Sequence, residues 1–214
     1  VPLSAAGEAG ARAPITLAFS AGTLEVRGLT EPLEGLVWDA RTACHRAPAV
    51  AYAQLVRALV RDKVPFVDEA RAYPELAAEP RVHREARPFQ REAVAAWLRE
   101  RGRGVVVLPT GSGKTHVAVM AMAEKRRATL VLAPTLDLVR QWHGLLSATF
   151  GEQVGVLGGG EHDVRPITVS TYDSAYIHME HLGARFGLVV FDECHHLPSP
   201  AYMTAAMGLI APFR

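Results

Sequence analysis

The sequence predicts an α/β chain in which a parallel sheet flanked by helices follows a small α+β unit. Three observations predict it. From residue 89 onward, β-branched apolar runs alternate with amphipathic stretches of helix length. A glycine-rich turn, "LPTGSGKTH" (108–116), joins one such run to a helix. A later run, "LVVFDE" (188–193), ends in two carboxylates.

The elements follow in chain order. Residues 1–12, "VPLSAAGEAGAR", read as a flexible lead-in. "ITLAFSAGTLEVRGL" (15–29) alternates apolar and polar residues around "SAG", the pattern of two short strands about a tight turn. "AVAYAQLVRALVRDKV" (49–64) places Val50, Tyr52, Leu55, Val56, Leu59 and Val60 at helical spacing, with Arg57, Arg61 and Lys63 on other faces. A short apolar piece, "PFV", follows. The stretch 68–88 carries many charges, Pro74, Pro80 and Pro88, and no sustained period, as an interdomain linker does. The expected division is an α+β domain over 13–75, a linker over 76–86 and a larger α/β domain over 87–214.

In the larger domain, "FQREAVAAWLRERGRG" predicts a helix with Phe89, Val94, Trp97 and Leu98 on one face. "GVVVLP" (104–109) predicts a buried strand, and "SGKTHVAVMAMAEKRRA" a helix. "TLVLAP" predicts a strand and "TLDLVRQWHGLLSATF" a helix. "VGVLGG", "ITVST" and "FGLVVFDE" predict three more strands. Strands alternating with helices of this length make βαβ units and a parallel sheet.

Composition bounds the function classes. At 214 residues with 49% hydrophobic and 21% charged residues, the chain can bury a core and is not a disordered polymer. Its formal net charge of +1 argues neither for nor against a polyanionic partner, so only a local basic patch could do so. The two cysteines, Cys44 and Cys194, form no CxxC pair and no disulfide framework, which fits a reduced, cytoplasmic setting. No apolar run approaches the roughly 20 residues that span a bilayer, and the N-terminal stretch lacks a signal peptide's pattern. No membrane partner is expected.

The turn "PTGSGKT" carries the chemistry. Gly111 and Gly113 let backbone N–H groups converge on phosphate oxygens where a Cβ would obstruct them, and a helix N-terminus follows. Pro109, Thr110, Gly111, Ser112, Gly113, Lys114 and Thr115 therefore form a candidate nucleotide loop. Lys114 would reach the β- and γ-phosphates, and Thr115 would ligate Mg2+. The general phosphate-loop pattern wants glycine where Leu108 stands, so the strict pattern fails and a variant form is present. Asp192 and Glu193 would complete the site, with Asp192 holding Mg2+ through water and Glu193 orienting or deprotonating the attacking water. ATP and Mg2+ are the expected cofactors.

"DECHH" also raises a transition-metal reading. Consecutive side chains diverge, however, and no second pair of ligands at zinc spacing is present. Upstream, Gln90 offers a donor and an acceptor that can read an adenine edge, although a glutamine at a helix start is usually a solvated cap. "APTLDLVRQW" (133–142) and "VSTYDSA" (169–175) each place short hydroxyl side chains and free N–H groups after a strand, suited to phosphates. Without context each is simply a strand-to-helix loop.

Together these residues resemble helicase superfamily two, and within it the XPB-type DNA repair helicases of the archaeal and bacterial branch. "RPFQ", "PTGSGKT", "APTLDLVRQW", "STYDSAY" and "DECHH" stand in the order of that family's Q motif and motifs I, Ia, Ib and II. "LAFSAGTLEVRG" and the helix after it are similar to the small damage-recognition domain that precedes the motor.

The resemblance implies a RecA-like fold and an ATP-dependent 3'-5' DNA helicase or translocase acting in nucleotide excision repair. It implies catalysis by Lys114, Asp192 and Glu193, adenine contact by Arg87 and Gln90, and coupling through His195. Pro134, Thr135, Arg140, Ser170 and Thr171 are then expected to grip DNA. Single-stranded DNA, forks or damaged duplex and a repair nuclease are the expected partners, in a prokaryotic cytoplasm. The family continues past the position of Arg214 into a second RecA-like domain that carries arginine fingers. Loss of such a finger costs about 10³–10⁵ in rate, so this chain is expected to turn over little ATP by itself. Another superfamily-two translocase, or a binding module with an idle phosphate loop, stay open as alternatives.

Overall fold

Ser20 and Thr23 face each other across a two-residue turn in which Ala21 and Gly22 have φ of 47° and 77°. Positive φ at both central residues matches the right-handed twist of the flanking strands, so the turn closes a tight hairpin. The strands are β1 (Ile15–Ser20) and β2 (Thr23–Arg27), with Leu17 opposite Val26 and Phe19 opposite Leu24. In this computed structural model, residues 14–31, 33–77, 79–81, 84–151 and 154–214 are described. The expected lead-in over 1–12 lies outside them.

Two strands that the sequence pattern did not announce join this hairpin. β3 (Val37–Asp39) and β4 (Cys44–Pro48) are short, and β4 carries Arg46 and Pro48. With β5 (Phe66–Asp68), which lies parallel to β1, the sheet order is β3-β4-β2-β1-β5. α1 (Tyr52–Arg61) covers one face and buries Tyr52, Ala53, Leu55 and Leu59; of the expected stripe Val50 and Val56 are half-buried and Val60 is 62% exposed. The Tyr52 hydroxyl donates to Asp68 at 2.5 Å, which pins the helix start to β5.

The second unit is RecA-like. Its sheet runs in the order β10-β6-β9-β7-β8, from β6 (Thr129–Ala133), β7 (Val154–Gly158), β8 (Glu161–His162), β9 (Ile167–Thr171) and β10 (Leu188–Phe191). All neighbours are parallel except β8, an antiparallel edge on β7. β6 and β9 are buried along their whole length, as inner strands covered on both faces must be. The helices are α2 (Pro88–Arg99), α3 (Lys114–Lys125), α4 (Leu136–Phe150), α5 (Tyr172–Leu182) and α6 (Pro200–Met207).

One expected strand does not form. Residues 104–109 form no strand, and Val105 and Val107 are 71% and 86% exposed. The reason is the lack of a neighbour. A strand needs a partner about 4.8 Å away, and here a cavity of about 760 Å³ lies between Val105–Leu108 and β10. Only its end is closed. Val189 N–H donates to Phe213 O at 3.0 Å, while Arg214 N–H donates to Gly102 O at 2.8 Å and Gly104 N–H to Arg214 O at 3.1 Å. Arg214 itself donates to the carbonyls of Ala206, Leu209 and Ala211, and its burial pulls its pKa down to about 10.

The two units share one apolar core, in which Leu17, Leu24 and Leu59 pack with Tyr172, Phe186 and Leu209. Residues 70–76 lie against the second unit, with Tyr73 and Leu76 buried and Ala72 N–H donating to Ala184 O at 3.1 Å. Gly183 sits at a close approach between the units. A Cβ there would come within 2.3 Å of both the Gly208 carbonyl and the Phe19 ring. Backbone cannot swing aside as a flexible side chain can. Gly183→Ala should therefore lower stability by about 1–3 kcal/mol, read as a lower midpoint in urea unfolding followed by circular dichroism. An unchanged midpoint would show that the junction is slack.

Candidate nucleotide site

The glycine-rich turn is held from below by Gln90. This residue is buried on α2, and its amide nitrogen donates to Ser112 O at 3.1 Å and Gly113 O at 3.2 Å. Its amide oxygen accepts from Arg87 N–H at 3.0 Å. One end of the side chain holds the loop and the other caps α2 at Arg87, so Gln90 is a buried cap that ties the helix start to the loop. Arg87 is exposed.

Within the loop, Gly111 has φ of 75° and Gly113 φ of 90°, a region that side chains rarely adopt. Space adds a second reason at Gly113, where a Cβ would lie 2.7 Å from the Gln90 amide nitrogen. The Ser112 hydroxyl donates to Pro109 O at 2.6 Å and closes the turn. Pro109 and Thr110 are exposed at its mouth. α3 starts at Lys114, so its unpaired N–H groups and positive dipole end open onto the loop. The Lys114 ammonium donates to Leu108 O at 3.1 Å and lies folded along the loop.

β10 delivers the acidic pair. Asp192 N–H donates to Leu132 O at 2.8 Å, which carries the β10–β6 ladder one residue past the strand. One oxygen of the Asp192 carboxylate accepts from the Trp142 indole at 2.7 Å, and the other from Glu193 N–H at 3.1 Å. The Tyr172 hydroxyl donates to the Asp192 carbonyl at 2.8 Å. Burial, with carboxylates at Asp192 and Glu193 nearby, pushes the Tyr172 phenol well above its ordinary pKa, so it stays a donor.

Glu193 has φ of 50° and ψ of 49°. A left-handed residue with a side chain costs roughly 1–2 kcal/mol, and such strain is often kept at functional turns. A 3-10 turn over Cys194–His196 follows, and His195 Nδ1 lies 3.4 Å from Glu193 Oε2.

Lys114, Thr115, Asp192, Glu193 and His195 all line the one cavity of about 760 Å³. A hydroxyl and a carboxylate are oxygen donors of the kind Mg2+ takes. The loop's open glycine positions and the helix N-terminus suit phosphate. The residues present therefore fit a Mg2+-bound nucleotide.

The expected DNA-gripping residues divide. Thr135 is exposed and caps α4, its hydroxyl accepting from Leu138 N–H at 3.3 Å, and Arg140 is exposed beside Asp137 at 2.9 Å. Pro134 is half-buried. Ser170 must be corrected. It is 0% exposed and its hydroxyl donates to Thr171 O at 3.0 Å, so no phosphate reaches it. The Thr171 hydroxyl is buried too and caps α5, accepting from Ser174 N–H at 3.1 Å. Residue-by-residue reading missed Trp142 and Tyr172. Both stand in the quoted motifs, but nothing in their spacing marks them as neighbours of Asp192.

The family described as type III restriction enzyme, res subunit, matches residues 83–213. The chain belongs to this family. It is of XPB type, for the damage recognition domain of the xeroderma pigmentosum group B helicase matches residues 17–70.

A DNA 3'-5' translocase XPB2 of Sulfurisphaera tokodaii is 48% identical over 130 residues, which are 61% of this chain and 29% of the relative. A DNA 3'-5' helicase XPB of Kineococcus radiotolerans is 38% identical over 131 residues, 56% of this chain and 23% of the relative. The chain thus matches less than a third of the length of these relatives. The UvsW helicase of bacteriophage T4 has the same fold, with a TM-score of 0.54 at 14% identity over 94% of this chain and 90% of that one.

Gln90 gives a direct check of how the XPB-type loop is held. Gln90→Ala removes two hydrogen bonds to the half-buried loop and should cost about 1–3 kcal/mol. Amide hydrogen exchange over residues 109–114 should speed up, and unchanged exchange would show that Gln90 does not hold the loop.

Proposed function

We propose that this chain is the nucleotide-binding part of an ATP-dependent 3'-5' DNA helicase or translocase of XPB type. The observation that carries this reading is the meeting of Lys114 and Thr115 with Asp192 and Glu193 on one cavity wall. Asp192 and Glu193 follow β10 at the carboxyl end of a parallel strand, where ligands bind in such sheets, and Lys114 and Thr115 open α3 onto the same cavity.

Each residue then has a task. Lys114 leaves Leu108 O and donates to β- and γ-phosphate oxygens. The N–H groups of Gly111, Gly113 and Lys114 donate to the remaining phosphate oxygens at the start of α3. Thr115 Oγ1 and an Asp192 carboxylate oxygen hold Mg2+, directly or through water. Mg2+ held by these oxygens would supply charge neutralisation to the phosphates. Glu193 orients the attacking water and accepts its proton, and His195 Nδ1 steadies the Glu193 carboxylate. Arg87 and Gln90 face the adenine in this reading, which requires the Gln90 amide to exchange a loop carbonyl for the base. Thr135 and Arg140 contact DNA phosphates.

Turnover by this chain alone should be slow. Arg103 and Arg214 stand on the cavity wall, but Arg103 donates to Pro212 O and Arg214 to the carbonyls of 206–211. Neither is free to meet charge that develops on a transferring phosphate. Residues 13–75 would recognise damaged duplex, and the whole protein would act in nucleotide excision repair with a nuclease partner, in a prokaryotic cytoplasm. Among the described residues no helix is long and apolar enough to cross a membrane.

Calorimetric titration of the chain with ADP in Mg2+ tests the site. Lys114→Ala should weaken binding by about 10-fold or more, the worth of a charge-assisted bond. Equal affinity would sink the reading. Phosphate release by the chain should stay slow with DNA present, and brisk DNA-stimulated hydrolysis would overturn the claim of slow turnover.

A further inference from the structure

We infer that Trp142 is a positioning residue for Asp192. Its indole N–H fixes the carboxylate that faces the proposed Mg2+-nucleotide site, and so ties α4 to that site through one hydrogen bond. The inference rests on the reading of Lys114, Thr115 and Asp192 given above.

Trp142 is 6% exposed and packs in the same core cluster as Val139 and Leu146, its neighbours at helical spacing on α4. An indole has one hydrogen-bond donor and no acceptor. Here that donor meets Asp192 Oδ2 at 2.7 Å, the short end of the range for a bond to an ionised oxygen. An ordinary core tryptophan would serve as well with its N–H on any backbone carbonyl. This one is spent on a residue that lines the same cavity as Lys114.

The consequence is orientation. An aspartate at a strand end can rotate about two side-chain bonds. Asp192 is held at Oδ2 by Trp142 and at Oδ1 by Glu193 N–H, so the plane of its carboxylate is set. Each oxygen keeps a lone pair for a metal or its water. Tyr172, the first residue of α5, fixes the carbonyl of the same residue at 2.8 Å. Asp192 is therefore gripped from both helices whose first turns carry the threonine caps Thr135 and Thr171. Partners of metal ligands that act in this way typically change metal affinity by about 10–100-fold when lost.

Trp142→Phe keeps an aromatic ring and removes the donor. The affinity of a fluorescent ADP analogue is measured for both chains, in Mg2+ and in EDTA. The wild type should bind more tightly in Mg2+. Trp142→Phe should lose about 10-fold in Mg2+ and stay within about twofold in EDTA, with a native circular dichroism spectrum.

Equal losses in both conditions, or none, would overturn the positioning role while leaving the nucleotide site standing. A wild type without any Mg2+ gain would overturn the Mg2+ site and this inference with it. A second measurement needs no variant at position 142. In the 15N spectrum of the wild-type chain, the Trp142 indole resonance, assigned by elimination with Trp38→Phe and Trp97→Phe, should shift with Mg2+-ADP and not with ADP in EDTA. A resonance that stays in place would also overturn the inference.

Discussion

The parallel ladder between β10 and β6 is the constraint on which the rest of the site depends. It runs from Leu188–Thr129 to Phe191–Leu132 and extends one bond further, from Asp192 N–H to the Leu132 carbonyl. Parallel strands end on the same side of a sheet. That places the start of α4 after β6, the start of α5 after β9 and the acidic pair after β10 along one edge. The glycine-rich turn and α3 meet them there. If the ladder slipped by one residue, Asp192 would turn to the opposite face, because side chains alternate along a strand.

Several polar groups at this edge are committed. Gln90 spends its amide on the loop, Ser112 its hydroxyl on Pro109, and Trp142 and Tyr172 their donors on Asp192. A network of this kind is costly to disturb, since each lost partner leaves a buried group unpaired. Lys114 differs. Its bond to Leu108 O is one that a phosphate oxygen could replace without stranding a buried charge. The rigid members hold geometry and the lysine supplies the movable charge.

The apolar slot beside β10 is the other notable feature of this edge. Val105 and Val107 are as β-branched as any buried strand, yet water reaches them because no ladder stands next to them. Sequence pattern reports a residue's preference for a pleated surface, not the presence of that surface. For the same reason the short strands β3 and β4 went unseen. A three-residue strand and one carrying Arg46 and Pro48 have little pattern of their own, and their pairing to β2 makes them strands.

The local elements and the chemistry of the site were legible in the sequence. Alternation marked the hairpin at Ser20–Thr23, helical spacing marked α1 and α2, and "PTGSGKT" with "DECHH" named the residues of the proposed nucleotide site and pointed to the XPB-type family. These are readable because spacing along the chain determines which face or turn a residue occupies. Tertiary structure alone decided which distant residues meet. It turned Gln90 inward onto the loop, buried Ser170, brought Phe19 against Gly183, and put the Trp142 indole on Asp192. Those contacts depend on strand order and on packing between elements, which no local spacing encodes.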